Sequence, residues 1–140
     1  MKEPYKLAIL IIVMSFSHLT TQAQFITFNH DGIDRQYLYY EPVSLNANTP
    51  LVFAMHGSTG DANSMRNYTQ MNQIADQYGF AICYPRGTLD SQVDRFWNVG
   101  YAFHQTETVD DVDFLIELAQ YLQVTHNLNS DYTFATGFSN

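Results

Sequence analysis

Five unbroken apolar residues, Leu51-Val52-Phe53-Ala54-Met55, follow Pro50 and end abruptly at His56-Gly57. A run of strand length that never alternates with polar residues belongs to a strand covered on both faces. Similar runs return at Phe80-Ala81-Ile82-Cys83-Tyr84 and Tyr132-Thr133-Phe134-Ala135-Thr136. Between the first two, Tyr68, Met71, Ile74, Ala75 and Tyr78 recur at three- and four-residue spacing, and Gly79 follows as a stop, so one helix is predicted. Pro85 and Gly87 close the second run. Between the second and third runs, Val112, Leu115, Ile116, Ala119 and Leu122 form another stripe, with Thr108-Val109-Asp110-Asp111 as a capping-box start. Strand, helix, strand, helix, strand in that order requires crossovers and therefore a parallel sheet. Upstream, Phe25 to Phe28 and Tyr37 to Tyr40 flank the turn pair Asp31-Gly32, which predicts an antiparallel hairpin. The fold class is α/β.

Composition narrows what this sheet can serve. The formal charge is −8, and after Lys2 and Lys6 only Arg35, Arg66, Arg86 and Arg95 are cationic. Nucleic acid as a partner needs a basic face to neutralise phosphates, and none is available. The single cysteine, Cys83, excludes an internal disulfide and any Cys-based zinc cage, and its apolar neighbours predict a small buried core residue.

Residues 1–23 read as a secretory signal peptide. Lys2 and Lys6 form the positive start, Leu7 to Phe16 the apolar core, and Thr21-Gln22-Ala23 the cleavage site before Gln24. The apolar stretch is too short for a stable membrane span, which takes about 20 residues. The expected product is a secreted or periplasmic chain beginning near Gln24.

The chemistry concentrates where the strand runs end. Gly137-x-Ser139 leaves the last run as the start of the nucleophile-elbow pattern G-x-S-x-G, in which a sharp turn lifts the serine Oγ above the sheet edge. Three matching residues also fit an ordinary turn serine. Earlier, His56-Gly57-Ser58-Thr59-Gly60 is a Gly-rich turn that can aim backbone N–H groups at a developing oxyanion. The donors would be Ser58, with Thr59 as its rival, and Asn140. The same glycines fit a tight strand-to-helix turn. No phosphate-binding glycine pattern is present. His56 is better placed to brace this turn than to act as general base; His30 lies at the hairpin turn, and His104 and His126 lack metal-ligand spacing to each other. Asp110-Asp111-x-Asp113 suits a helix N-terminus better than calcium. No metal and no cofactor is expected.

With these residues in place, the stretch from Arg35 to Asn140 resembles the secreted α/β-hydrolase esterases grouped with polyhydroxybutyrate depolymerases and feruloyl or acetylxylan esterases. The resemblance rests on ordered pieces: Arg35-x-Tyr37-x-x-Tyr40-x-Pro42, Pro50-Leu51-Val52 to His56-Gly57, Ala75-Asp76-x-x-Gly79-Phe80 and Tyr84-Pro85. Trp97, Asp110-Asp111-Val112-x-Phe114 and Thr136-Gly137-Phe138-Ser139-Asn140 complete it. Tyr132, Asn129 and Asp113 depart from the usual Arg, Asp and Gly, and Ser58 stands where several members have Cys.

The resemblance implies that Ser139 is the nucleophile, that an acid and a His follow downstream, and that the substrate is an ester. Feruloyl or acetyl groups on plant polysaccharide, or a polyester, are the expected substrates. Residues 24–140 then form the N-terminal half of an α/β-hydrolase domain, cut at the elbow, and such a piece would be inactive alone. A secreted serine peptidase of the same fold and a non-catalytic binding module are the alternative readings.

Overall fold

In the computed structural model the described residues are 24–140. The signal-peptide reading falls on residues outside them. Strands β1 (Ile26–His30) and β2 (Ile33–Tyr40) form the expected hairpin, in register from Ile26 opposite Tyr37 to His30 opposite Ile33. Asp31 and Gly32 carry φ of 50° and 76°, the left-handed pair that a two-residue hairpin turn requires.

Next come β3 (Leu51–Met55), α1 (Ala62–Thr69), α2 (Met71–Tyr78) and β4 (Ala81–Arg86). A short ribbon of β5 (Thr88–Leu89) and β6 (Arg95–Phe96) and a 3₁₀ turn at Ala102–His104 fill the polar stretch that lacks a sequence period. The chain then forms α3 (Asp111–Thr125) and β7 (Thr133–Gly137). The sheet order is β1-β2-β4-β3-β7, with β4, β3 and β7 parallel and β2 antiparallel to β4.

Side-chain alternation along the strands builds two core layers. Tyr37, Leu51, Phe53, Ala81 and Cys83 face α3 and pack with Phe114, Leu118 and Leu122. Leu38, Ala54, Ile82 and Tyr84 face the other way, with Ala62, Met65 and Ala75 from α1 and α2. Cys83 is a buried core residue as expected, and burial pushes its thiol pKa well up. Tyr37 and Tyr84 are likewise pushed up to about 12, chiefly by burial.

Five expectations need correction. The single helix between β3 and β4 is two helices, because Gln70 sits at φ 52°. The Thr69 hydroxyl also donates to the Met65 carbonyl at 2.9 Å, a back-bond that competes with helix propagation. Of its expected apolar stripe, Tyr68, Ile74 and Tyr78 are exposed and Ala75 is buried; Met65, outside that stripe, also packs on the sheet. In α3 the buried stripe is Phe114, Leu118 and Leu122, while Val112 and Ile116 face outward. The residue that caps α3 is Asp110, whose carboxylate accepts the Asp113 N–H at 2.9 Å, rather than Thr108. Finally, β4 runs through Pro85 instead of stopping there. Its pairing with β3 ends at Cys83, so Pro85 faces only β2 and no ladder donor is needed on the other side.

Candidate active site

The loop after β3 and the turn after β7 lie against each other at the C-terminal ends of adjacent parallel strands, where ligand crevices form in open α/β sheets. Ser139 lies two residues past the end of β7 and carries φ of 60°. A left-handed serine is strained and persists only where its surroundings hold it. Here the Phe138 N–H donates to the Met55 carbonyl at 3.3 Å. Gly57 closes the other side: a Cβ there would stand 2.6 Å from the Phe138 carbonyl oxygen and 3.2 Å from the Ser139 Cβ. Gly137 is less crowded: a Cβ there would stand 3.3 Å from the Met55 carbonyl oxygen, a tight contact rather than a clash. Backbone approach therefore requires glycine at 57 and favours it at 137.

His56, the residue between β3 and this loop, is buried and uses both ring nitrogens. Nδ1 donates to the Gly57 carbonyl at 2.7 Å, and Nε2 accepts the Gly87 N–H at 2.9 Å. That arrangement needs a neutral ring. Burial accordingly lowers the His56 pKa from its usual value, with Arg95 and Arg86 assisting against the Gly57 bond and Asp61. The imidazole is a strut between the β3 and β4 loops, with no free lone pair to take a proton.

Behind the loop, Asp61 caps α1 by accepting the Asn63 N–H at 2.8 Å, and its second oxygen accepts from Arg86 Nε at 2.7 Å. Thr59 donates its N–H to the Arg95 carbonyl at 2.8 Å, so that amide is already committed to β6. Among the described residues the Ser58 and Asn140 amides have no such partner. Ser58 rather than Thr59 retains a free donor.

Trp97 ties these pieces together. Its Nε1–H donates to the His56 carbonyl at 2.7 Å. Its backbone N–H donates to Asn140 Oδ1 at 3.1 Å, and its carbonyl accepts from Asn140 Nδ2 at 3.0 Å. The adjacent Asn98 N–H donates to Asp111 Oδ2 at 2.6 Å, and Asp111 pairs through its other oxygen with the buried Arg35. Arg35 also lies 3.8 Å from the Phe114 ring centroid. The chain of contacts thus runs from β2 through the N-terminus of α3 to the residue after Ser139.

Two cavities open on Ser139. One, of about 230 Å³, is lined by Trp97, Tyr101, Val112, Leu115 and Phe138. The other, of about 340 Å³, is lined by Gly57, Ser58, Met65, Tyr68 and Phe138. Both are mainly apolar with the serine at the shared edge, the composition expected of a small-molecule site.

The family model described as esterase, PHB depolymerase matches residues 35–140. The chain belongs to this family. Among its relatives, feruloyl esterase B of Thermothelomyces thermophilus is 26% identical over 129 residues, covering 91% of this chain and 43% of that protein. The bifunctional acetylxylan esterase/xylanase of Neocallimastix patriciarum is 25% identical over 108 residues, covering 77% and 15%. The solved acetyl xylan esterase from Aspergillus awamori superimposes with a TM-score of 0.64 at 21% identity, over 83% of this chain and 42% of that one. The fold is that of the α/β-hydrolases. The chain spans less than half the length of these relatives.

The structure of this esterase-family chain brings Ser139, Asn140, Gly137, His56, Gly57 and Ser58 to one place. His30, His104 and His126 lie apart from it, engaged with Asp113, Asp90 and Glu41. Sequence reasoning missed the roles of Gly87, Asn98 and the Arg35–Asp111 pair. Arg35, Trp97 and Asp111 all carry the family resemblance, but nothing in their spacing says that they form one network.

Proposed function

We propose that this chain contributes the nucleophile and oxyanion site of a secreted serine esterase. Ser139 Oγ attacks the ester carbonyl while the Ser58 and Asn140 amides hold the developing oxyanion. The alcohol departs with the proton that Ser139 gave up, and water then releases the acid from the acyl-enzyme. The observation that carries this reading is the left-handed Ser139 wedged between Gly57 and the end of β3. Membership of an esterase family supports it against the peptidase alternative.

His56 has both nitrogens engaged, and no described side chain bonds Ser139 Oγ. The reading therefore takes its general base and acid from sequence beyond these 140 residues. Substrates would be acyl esters flanked by an apolar group: feruloyl or acetyl esters of plant polysaccharide, in keeping with the feruloyl and acetylxylan esterases named above, or a polyester. Export through residues 1–23 suits such extracellular polymers. Among the described residues no helix is long and apolar enough to cross a membrane.

Labelling the full-length protein with a fluorophosphonate and mapping the adduct tests the reading. A single adduct at Ser139, together with turnover of p-nitrophenyl acetate or methyl ferulate and not of peptides, is expected. An unlabelled Ser139 would leave the binding-module alternative.

A further inference from the structure

Away from the Ser139 cavities, the end of β1 meets the first turns of α3. His30, 3% exposed, places Nε2 3.1 Å from Asp113 Oδ2 and 3.9 Å from Glu117 Oε2. The three donor atoms lie within 4.8 Å of one another. Asp113 and Glu117 are four residues apart on one helical face, a like-charge spacing that costs stability by itself. One imidazole nitrogen carries one proton and satisfies one of the two carboxylates. Among the described residues no arginine pairs with either: Arg35 is taken by Asp111, and Arg86 and Arg95 by Asp61. Two negative groups therefore converge on a single buried nitrogen in a chain that is already strongly acidic.

We propose that His30, Asp113 and Glu117 form a binding site for a divalent transition-metal ion of the Zn²⁺ type, which staples the β1–β2 hairpin to α3. Metal–ligand bonds of about 2.0–2.2 Å at tetrahedral angles put neighbouring donor atoms about 3.3–3.6 Å apart. The two separations from His30 Nε2, 3.1 and 3.9 Å, bracket that edge, and the carboxylate oxygens lie within 4.8 Å of each other, so a rotation of Glu117 toward both partners would complete the set. One imidazole with two carboxylates neutralises a dication and favours a borderline ion over Ca²⁺ or Mg²⁺, which prefer all-oxygen shells. Both carboxylates are half-exposed, leaving the outward position to water. The Phe114 ring, 5.8 Å from the imidazole, holds the histidine edge-on and limits its choice of direction. This site is independent of Ser139 chemistry.

The test uses the full-length protein, stripped with EDTA and equilibrated with buffered Zn²⁺. The parent is expected to retain one ion per chain more than the Asp113→Asn/Glu117→Gln double variant. Zn²⁺ affinity should fall at least tenfold in that variant, and Zn²⁺ should raise the melting temperature of the parent alone. Both replaced side chains are half-exposed, and the relief of their mutual repulsion offsets the lost bond to His30, so the stripped parent and variant should melt within a few degrees of each other. If the variant does not fold, anomalous scattering at the zinc edge from parent crystals decides, with a peak bounded by these three side chains expected. Equal Zn²⁺ uptake by parent and variant, no melting shift of the parent at millimolar Zn²⁺, or a peak only elsewhere overturns the proposal.

Discussion

Trp97 and Asn140 face one another through two hydrogen bonds, the Trp97 N–H to Asn140 Oδ1 at 3.1 Å and the Asn140 Nδ2 to the Trp97 carbonyl at 3.0 Å. The Asn140 side chain behaves as one more strand residue added beside Trp97, and it fixes the backbone whose amide sits beside Ser139. Replacing Asn140 with Ala removes both bonds without touching the serine. In the full-length protein kcat on a p-nitrophenyl ester should fall about tenfold or more, with KM little changed, because a misaimed oxyanion donor costs transition-state binding. An equal rise in KM with kcat intact would contradict this.

The His56 strut makes a pH prediction. Its folded-state pKa is lowered by burial, so the neutral ring is the folded form. That contribution to stability is complete above the unfolded value near 6.5 and is lost as pH falls through the lowered folded value. Denaturant midpoints of the parent should drop between about pH 7.5 and about pH 5. His56→Gln, less stable at the higher pH, should show a smaller drop.

Ser139 at φ 60° stores backbone strain that a glycine would not feel. Ser139→Gly should abolish fluorophosphonate labelling while raising stability by about 1 kcal/mol. Loss of labelling with loss of stability would mean that the hydroxyl, not the turn, holds this segment.

Arg35 and Asp111 are a buried pair, 1% and 2% exposed, and the Arg35 Nε and Nη1 groups have no partner among the described residues. Removing one member leaves the other charged and buried. Asp111→Ala should cost about 3–5 kcal/mol by chemical denaturation, whereas a paired apolar replacement of both should cost much less. The single variant should also weaken Ser139 labelling, since Asn98 beside Trp97 is anchored on Asp111.

Much of the architecture was legible in the order of apolar runs. Strands β3 and β4 each bury an uninterrupted segment, and Asp31-Gly32 is a turn that few other residue pairs could make. The third run also forms a strand, but β7 lies at the sheet edge and is exposed along its length, against the expectation of a strand covered on both faces. Helix faces were read less well. In α3, Val112, Leu115, Ile116 and Ala119 are apolar alongside Phe114, Leu118 and Leu122, so the helix is hydrophobic nearly all round and its period does not choose a buried face. Contact with Tyr37 and Phe53 across the sheet made that choice. The break at Gln70 was equally hidden, because glutamine is a good helix former and nothing in its residue type marks the left-handed backbone it adopts.

At the candidate site, the sequence alone determined the local pieces: a glycine before a serine after a strand, and a His-Gly turn after another. Those are short-range properties, governed by which residues tolerate a tight backbone. Only the tertiary structure decided that Gly57 abuts Phe138 and that the Thr59 amide is spent on Arg95 while Ser58 is not. It also decided that His30, 83 residues from Asp113 in the chain, shares one corner with it. Such meetings depend on how crossovers stack helices on a twisted sheet, and a linear pattern of residue types carries no record of the distance between segments that only the core brings together.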